Sequence, residues 1–542
     1  MPRKIVLISG SVASGKTTLV DLLVEEFPDV QVLKTKDIIR ELARKKLRRE
    51  LESERRAMQE FGDLLDKETN GRWVRDALRR KLASLGNAES EAIFIVDAVR
   101  ISAQIKAIRE SYGFTVTHIH LRAPKEVLSE RYKSRASGLQ ELASFSAVAH
   151  NTTEARVAEL ERIADIVIDT QLSRPEDVLV RAASHLDLYY GDSSRSVDIV
   201  VGGQFGSEGK GHIASYLARE YRVLVRVGGP NAGHKVFFDS GPYTHHQLPS
   251  GTLRNPLAQL VIAPGAVLNP DLLMTEIAEC KVDVDRLAVD PQAMIISAAD
   301  ITGEKALKQR IGSTGQGVGL ATARRITDRG KDVILAKDVT DLAPFIKPAW
   351  EVLEKAYSRH HSILVEGTQG CGLSLYHGEY PFVTSRDATV GGCLSEAGIS
   401  PSRVRKVVMV CRTYPIRVQN PNGKTSGPLS QEISWKIVAK RSGLKLNQLE
   451  ESELTSTTNR RRRVGEFDWV LLKRASAINR PTDIALTFAD YLDSHNEDAR
   501  RYEQLQPDTI RFIEEVERVA AAPVSLISTR FDFRSIIDRR RW

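Results

Sequence analysis

Two stretches carry residue types that can hold phosphate: Gly10-Ser11-Val12-Ala13-Ser14-Gly15-Lys16-Thr17 and Gly202-Gly203-Gln204-Phe205-Gly206-Ser207-Glu208-Gly209-Lys210-Gly211. In both, glycines let backbone amides close on anionic oxygens, and a lysine adds a mobile positive charge where a helix begins. The first fits G-x-x-x-x-G-K-[ST] at every fixed position, which aims Lys16 at the β and γ oxygens and Thr17 at magnesium. The second does not fit. Gln204 stands five residues before Gly209, and Gly211 follows the lysine where Ser or Thr is required. Taken alone, the second stretch reads equally well as a plain glycine turn.

A phosphate loop needs a strand before it and a helix after it. Residues 4–8 and 18–23 supply these for the first loop, and residues 197–201 and 213–218 for the second. Apolar runs at 92–97, 118–121 and 164–169 predict further strands, and Asp97 at the end of one is a candidate metal-side acid. Strands alternating with helical stretches predict an α/β protein built on parallel sheets. The small, polar, patternless segment around 191–196 predicts a linker between a first domain, 1–190, and a second, 197–542.

The chain has 542 residues, 42% of them hydrophobic and 27% charged, enough for several soluble cores. No apolar run approaches the roughly 18 residues of a membrane span, and no secretory signal is read at the start. Four cysteines (280, 371, 393 and 411) lie far apart with no CxxC pair, which predicts reduced thiols in a cytoplasmic protein. The net charge of +8 suits nucleic acid or phosphorylated and carboxylated ligands equally well. Its arginines cluster within 40–56, 460–463 and 539–541.

The first domain resembles the nucleoside monophosphate kinases of the adenylate and cytidylate kinase type. The resemblance rests on the Gly10–Thr17 loop, on Thr35-Lys36-Asp37-Ile38-Ile39-Arg40 and on Arg131-Tyr132-Lys133-Ser134-Arg135. It implies that Arg40 grips the acceptor phosphate, with Arg100 a further acceptor-side candidate. It also implies that Arg131 and Arg135 close on the transferring phosphoryl group, a reaction that needs positive charge around three oxygens. A solvated helix face is the alternative for each arginine.

Glycine-marked islands follow the second loop at 226–234, 246–251, 311–319, 365–370, 380–385, 457–465 and 526–530. In this order they resemble adenylosuccinate synthetase over the rest of the chain. That family joins L-aspartate to a 6-oxopurine nucleotide by way of a 6-phosphoryl intermediate, with a nucleoside triphosphate and Mg2+. The resemblance implies that Gly206, Glu208, Gly209, Lys210 and Gly211 meet donor phosphates, and that His234 stabilises charge on O6. The Gly233 carbonyl would bind magnesium. Asn231, Thr314, Gln369 and Thr384 would hold the purine nucleotide, and Thr457, Thr458 and Arg460 the carboxylates of aspartate. Arg462, Asp490, Ser528 and Arg530 would face the donor nucleotide. A partner subunit would lend Arg329, with Arg324 or Arg325 as alternatives, so a homodimer is implied. The arginine run at 460–463 thereby gains a purpose other than nucleic acid, because guanidinium forks pair with carboxylates and phosphates.

The chain departs from the family at its second loop. The pattern G-D-E-G-K-G becomes Gly206-Ser207-Glu208-Gly209-Lys210-Gly211, and serine cannot act as the base that the aspartate provides. Serine here resembles the shortened viral branch, 2-aminodeoxyadenylosuccinate synthase, which uses dGMP in place of IMP. A short segment between Gly319 and Val365, and Arg386-Asp387 in place of small polar residues, point to the same branch. Thr487-Phe488-Ala489-Asp490 replaces T-K-x-D, and Arg530 replaces a glycine, which argues for ATP or dATP as donor, with GTP the alternative because Asp490 could still accept from guanine N1 and N2. An ordinary synthase using IMP and GTP is the alternative. A non-catalytic nucleotide-binding regulator is a second.

Overall fold

Residues 5–8 are apolar without a break because they are covered on both faces. In the computed structural model they belong to β1 (Lys4–Gly10), and each is 0% exposed. The structure describes residues 4–47, 55–84, 92–134, 152–186, 188, 195–238, 241–330, 332–420, 425–454, 460–530, 532 and 535–540. The chain divides into two compact units, Met1–Gly191 and Asp192–Trp542.

In the first unit β1 is the middle of a five-stranded sheet. Its neighbours are β2 (Val30–Leu33), β3 (Ile93–Val96), β4 (Val116–Arg122) and β5 (Ile166–Asp169), in the order β2-β3-β1-β4-β5. Every pairing is parallel. Ile5 and Leu7 pack on one face with Phe94, Val96, Trp73 and Leu78. Val6 and Ile8 pack on the other with Leu19, Leu23, Ile119 and Ile168. The phosphate loop leaves the end of β1 and enters the helix Lys16–Glu26. Gly10 (φ 142°) is required there, since a Cβ would lie 2.3 Å from the Leu121 carbonyl oxygen.

In the second unit the strands are β6 (Val197–Gly202), β7 (Val223–Arg226), β8 (His234–Phe238), β9 (Gly241–His245), β10 (Gln259–Ile262), β11 (Val267–Leu268) and β12 (Leu287–Val289). They continue with β13 (Met294–Ile295), β14 (Ile363–Glu366), β15 (Val404–Arg412), β16 (Ile416–Val418), β17 (Glu432–Ile433) and β18 (Arg462–Gly465), and end with β19 (Asp483–Thr487), β20 (Val524–Ser528) and β21 (Ile536–Asp538). Among the described residues nine of these form one sheet, ordered β12-β10-β7-β14-β6-β15-β19-β20-β21. It is parallel except for β21, which runs against β20. Val197, Ile199 and Val201 of β6 enter one buried cluster and Val200 enters the other, so this sheet too is covered on both faces.

Parallel strands all end at the same edge of the sheet, and ligands of open α/β sheets bind outside that edge. The loops after β6, β7, β14 and β19 therefore meet, although they are drawn from 203 to 490 in the chain. The four cysteines are buried thiols. Among the described residues no helix is long and apolar enough to cross a membrane.

Candidate active site

The loop after β6 is shaped from below by one acid. Glu208 is 0% exposed, and its carboxylate accepts hydrogen bonds from the amides of Gln204 (3.1 Å) and Gly206 (2.8 Å). It also accepts from Lys210 Nζ at 2.6 Å. The Glu208 side chain thus organises the loop from beneath, while Gly206, Ser207, Gly209, Lys210 and Gly211 line a cavity of about 600 Å3. Gly209 (φ 91°) caps the helix Lys210–Leu217 in the left-handed region, and Thr487 Oγ1 of β19 donates to the Glu208 carbonyl at 2.7 Å.

His234 starts β8 and lines the same cavity. Its Nδ1 meets the Glu366 carboxylate, and Glu366 also bonds Arg226 at 2.7 Å and the Ser250 amide at 2.7 Å. The contact between Nδ1 and a carboxylate oxygen requires a proton between them, which leaves Nε2 as the ring nitrogen available to the cavity. Burial, aided by Arg226, lowers the imidazole pKa to about 4. Burial opposes ionisation of Glu366, but Arg226 and His234 outweigh it and hold that carboxyl at about 2. The ring is neutral at rest, with an anion behind it that favours a second proton once negative charge enters the cavity.

Glu453 also lines the cavity, and Arg412, which is 0% exposed, bonds it at 2.6 Å. Arg462 bonds the other Glu453 oxygen at 2.9 Å, and Tyr491 OH donates to Glu453 at 2.8 Å. Here too burial is outweighed, by Arg412 and Arg462, and the Glu453 carboxyl sits at about 2. The two arginines also reach the second loop: Arg412 Nη1 lies 3.3 Å from the Ser207 carbonyl and Arg462 Nη2 lies 3.4 Å from the Ser207 hydroxyl. Asp490, after β19, is 6% exposed and lines the cavity, and its Oδ1 has no hydrogen-bond partner among the described residues. Burial, with Glu497 nearby, pushes its carboxyl up to about 8.

The remaining sequence candidates divide clearly. Asn231, Gly233, Thr314, Gln369 and Thr384 all line the cavity. Arg460 does not, but its guanidinium reaches the Gly312 and Ser313 carbonyls at 3.4 Å, beside Thr314. Ser528 turns its hydroxyl to the Arg530 carbonyl at 2.7 Å, and Arg530 pairs with Asp532 at 3.0 Å; neither lines the cavity. Arg329 is exposed and away from this cavity, its Nε donating to Ile326 O at 3.2 Å. Arg324 is committed to Asp300 at 2.6 Å and Arg325 to the Gln292 carbonyl at 2.5 Å. Thr457 and Thr458 lie outside the described residues.

In the first unit Lys16 Nζ donates to the carbonyls of Gly10 (2.6 Å) and Ser11 (2.9 Å), and Thr17 is exposed at the start of the helix after Gly15. Asp97 accepts from the Thr35 amide (2.8 Å) and hydroxyl (2.9 Å). Arg131 bonds Thr170, whose hydroxyl lies 3.4 Å from the Ser14 carbonyl of the loop. Arg40 is exposed and 3.6 Å from Asp37, Arg100 is half-buried, and Arg135 lies outside the described residues. Sequence reasoning missed the buried triad of Ser9 with His118 (2.7 Å) and His120 (2.8 Å) behind this loop.

Residues 199–340 and 334–498, more than half of the chain, match the model of the family described as adenylosuccinate synthetase. The chain belongs to the adenylosuccinate synthetase family. Residues 5–160 match the model of the AAA domain. The adenylosuccinate synthetase of Thermococcus onnurineus is 36% identical over 350 residues, which cover 63% of this chain and 98% of that one. A solved structure of the cyanophage S-2L succinoaminodeoxyadenylate synthetase, bound to dGMP and dATP, is 27% identical with a TM-score of 0.55. It covers 64% of this chain and 96% of the phage chain. The Plasmodium falciparum adenylosuccinate synthetase, at 21% identity and TM-score 0.56, covers 64% of this chain and 100% of its own, and shares the fold.

The archaeal synthetase aligns over 98% of its own length, so the short segment between Gly319 and Val365 is compatible with an ordinary synthetase. That feature does not single out a dGMP-using branch. Arg226, Glu366, Arg412 and Glu453 were missed as site residues. Arg226 and Glu366 do stand at strand ends within two of the glycine islands, which was the available signal. Arg412 also ends a strand, whereas Glu453 follows a charged helix and gives none.

Proposed function

We propose that the second unit joins the amino group of L-aspartate to C6 of dGMP, with ATP or dATP as phosphoryl donor, to give 2-aminodeoxyadenylosuccinate. The observation that carries this reading is Ser207, a neutral residue at the cavity wall where the family pattern has a carboxylate. A serine leaves space for the guanine 2-amino group that an aspartate would crowd. The solved phage relative bound to dGMP and dATP supports the same choice.

The chemistry follows from the walls. Lys210 and the glycine amides hold the donor phosphates. The purine O6 attacks the terminal phosphorus, the nucleoside diphosphate leaves, and the N1 proton passes to solvent water, since Ser207 offers no carboxylate to take it. The aspartate amine then attacks C6, and O6 departs within inorganic phosphate. His234, with Glu366 behind it, places a proton at Nε2 where charge develops on O6. The Gly233 carbonyl and Ser207 hydroxyl are neutral oxygens, which fits a magnesium ion that takes most of its ligands from phosphate and water. Mg2+ there would neutralise charge on the transferring group. Asp490 carries its proton at pH 7, so it presents one donor and one acceptor, the complement of the adenine N1 and amino edge. The ionised form suits the N1 and 2-amino edge of guanine, which offers two donors.

Turnover assays with aspartate and Mg2+, crossing dGMP or IMP with ATP, dATP or GTP, test the reading. Phosphate release with IMP alone sinks the dGMP assignment. That outcome supports an ordinary synthase, which is favoured by the higher identity to the archaeal enzyme, 36% against 27%. Binding without turnover of either acceptor supports the regulator. We further propose that the first unit transfers a phosphoryl group to a nucleotide. Lys16→Ala is expected to abolish that transfer while aspartate ligation proceeds unchanged.

A further inference from the structure

Behind Gln369 lies a chain of polar groups that no part of the proposed reaction uses. Arg386 is 8% exposed and grips Glu396 with two parallel bonds, Nε to Oε1 at 2.6 Å and Nη2 to Oε2 at 2.7 Å. Its third nitrogen, Nη1, donates to the hydroxyl of Thr368, which is 1% exposed. Thr368 Oγ1 lies 2.9 Å from Gln369 Oε1, and Gln369 Nε2 lies 3.0 Å from Asn231 Oδ1. Gln369 and Asn231 line the cavity; Thr368 and Arg386 stand behind them.

Proton accounting gives this chain a direction. A guanidinium only donates, so Thr368 Oγ1 accepts from Arg386 and its single proton goes to Gln369 Oε1. The Gln369 amide must then turn its nitrogen to Asn231, and one N–H is left for the cavity. Asn231, which accepts through Oδ1, likewise offers its NH2 group. Flipping the Gln369 amide would strand the buried Thr368 proton without an acceptor, which is costly. The backbone leaves room for the chain at Gly228 (φ 90°), where a Cβ would fall 2.1 Å from Thr368 Oγ1 and 2.9 Å from Arg386 Nη1.

We propose that Arg386 is a positioning residue: through the Thr368 hydroxyl it fixes the Gln369 amide with N–H toward the purine, so that the site selects a 6-oxopurine over its 6-amino counterpart. The inference rests on the ligase reading above. A 6-oxo group and N7 are both acceptors and meet these donors; a 6-amino group presents hydrogens and does not.

The test compares dissociation constants, by titration calorimetry of the full chain, for dGMP and for 2-aminodeoxyadenosine 5′-monophosphate, which differ in the C6 substituent and in the N1 hydrogen that accompanies the 6-oxo form. The unaltered protein is expected to prefer dGMP. Thr368→Val keeps the side-chain shape and removes the relay, so it is expected to cut that preference at least tenfold, with ATP binding unchanged; Thr368→Ser is expected to restore it. Arg386→Met alone leaves Glu396 unpaired and endangers folding. The double replacement R386M/E396L, which removes both charges, is therefore the second variant, with the same loss expected. Equal weakening of both nucleotides, or an unmoved ratio in either variant, overturns the inference while the ligase reading stands. Failure of the unaltered protein to bind dGMP overturns both.

Discussion

Ser207 is held in the left-handed region at φ 54°, between the carbonyl contact of Arg412 and the hydroxyl contact of Arg462. Aspartate tolerates that backbone at least as well as serine, and its carboxylate would pair with Arg462. Ser207→Asp is therefore expected to fold normally and to lower kcat/KM for dGMP by about tenfold or more, about 1.4 kcal/mol of transition-state stabilisation, while raising it for IMP. Steady-state rates with both acceptors check this, and an unchanged ratio refutes it. Asp490 gives a prediction in pH. Its folded pKa, raised by burial to about 8, lies above the ordinary carboxylate value of 3.8. The native state therefore binds more protons between the two values, and stability falls as pH rises through that window. Asp490→Asn is expected to flatten that slope, so its melting temperature exceeds that of the unaltered protein at pH 9 by more than at pH 5. Parallel slopes would show that Asp490 does not titrate there. What was legible at this scale were residues whose type and loop position declare a task, such as Lys210, His234 and Gln369. Arg412 and Glu453 were not legible, because a charge in a strand or at a helix end looks solvated until the fold buries it.

At the scale of elements, the second unit uses strand ends to assemble a cavity and one acid to brace a wall. Glu453 follows the helix Leu446–Ser452, and Arg462 opens β18, so their ion pair joins the end of that helix to the start of the strand. The antiparallel Leu454–Arg461 bridge joins the same two stretches a second time. Removing the acid leaves Arg412, which is 0% exposed, as an uncompensated buried cation. Glu453→Gln is therefore expected to destabilise the second unit by about 3 kcal/mol, read from urea unfolding, and to raise KM for aspartate. A change under about 1 kcal/mol would mean that Arg412 finds other partners. The pair also sets an acid limit. Its carboxyl, near 2 against an ordinary 4.5, contributes stability above pH 4.5 that is lost as pH falls toward 2. The strands at 5–8 and 197–201 could be read from sequence because burial on both faces leaves a nearly unbroken apolar run, interrupted only by Asp198, which is itself 0% exposed. The order of strands could not, since parallel pairing joins β6 to β14 and β15 across more than 160 residues.

At the scale of the molecule, the expectation of a homodimer turns on one side chain. Arg324 and Arg325 are engaged within their own chain, whereas Arg329 is exposed at φ 51° and does not line the cavity of its own chain. An arginine lent across a two-fold axis would be placed in this way, because a group that serves the neighbouring site must project from its own surface. Two variants should then complement each other. Arg329→Ala removes the lent group, and His234→Asn removes the cavity's own proton donor; each alone is expected to be inactive. When they are unfolded and refolded together in equal amounts, half of the dimers are hybrids, and each hybrid holds one site with both residues intact. About a quarter of the unaltered turnover should return on that arithmetic, with none from either variant refolded alone. Recovery that vanishes on dilution below the dimer dissociation constant would strengthen the case. A mixture that stays inactive while hybrids are demonstrated by mass spectrometry would show that Arg329 serves no neighbouring site.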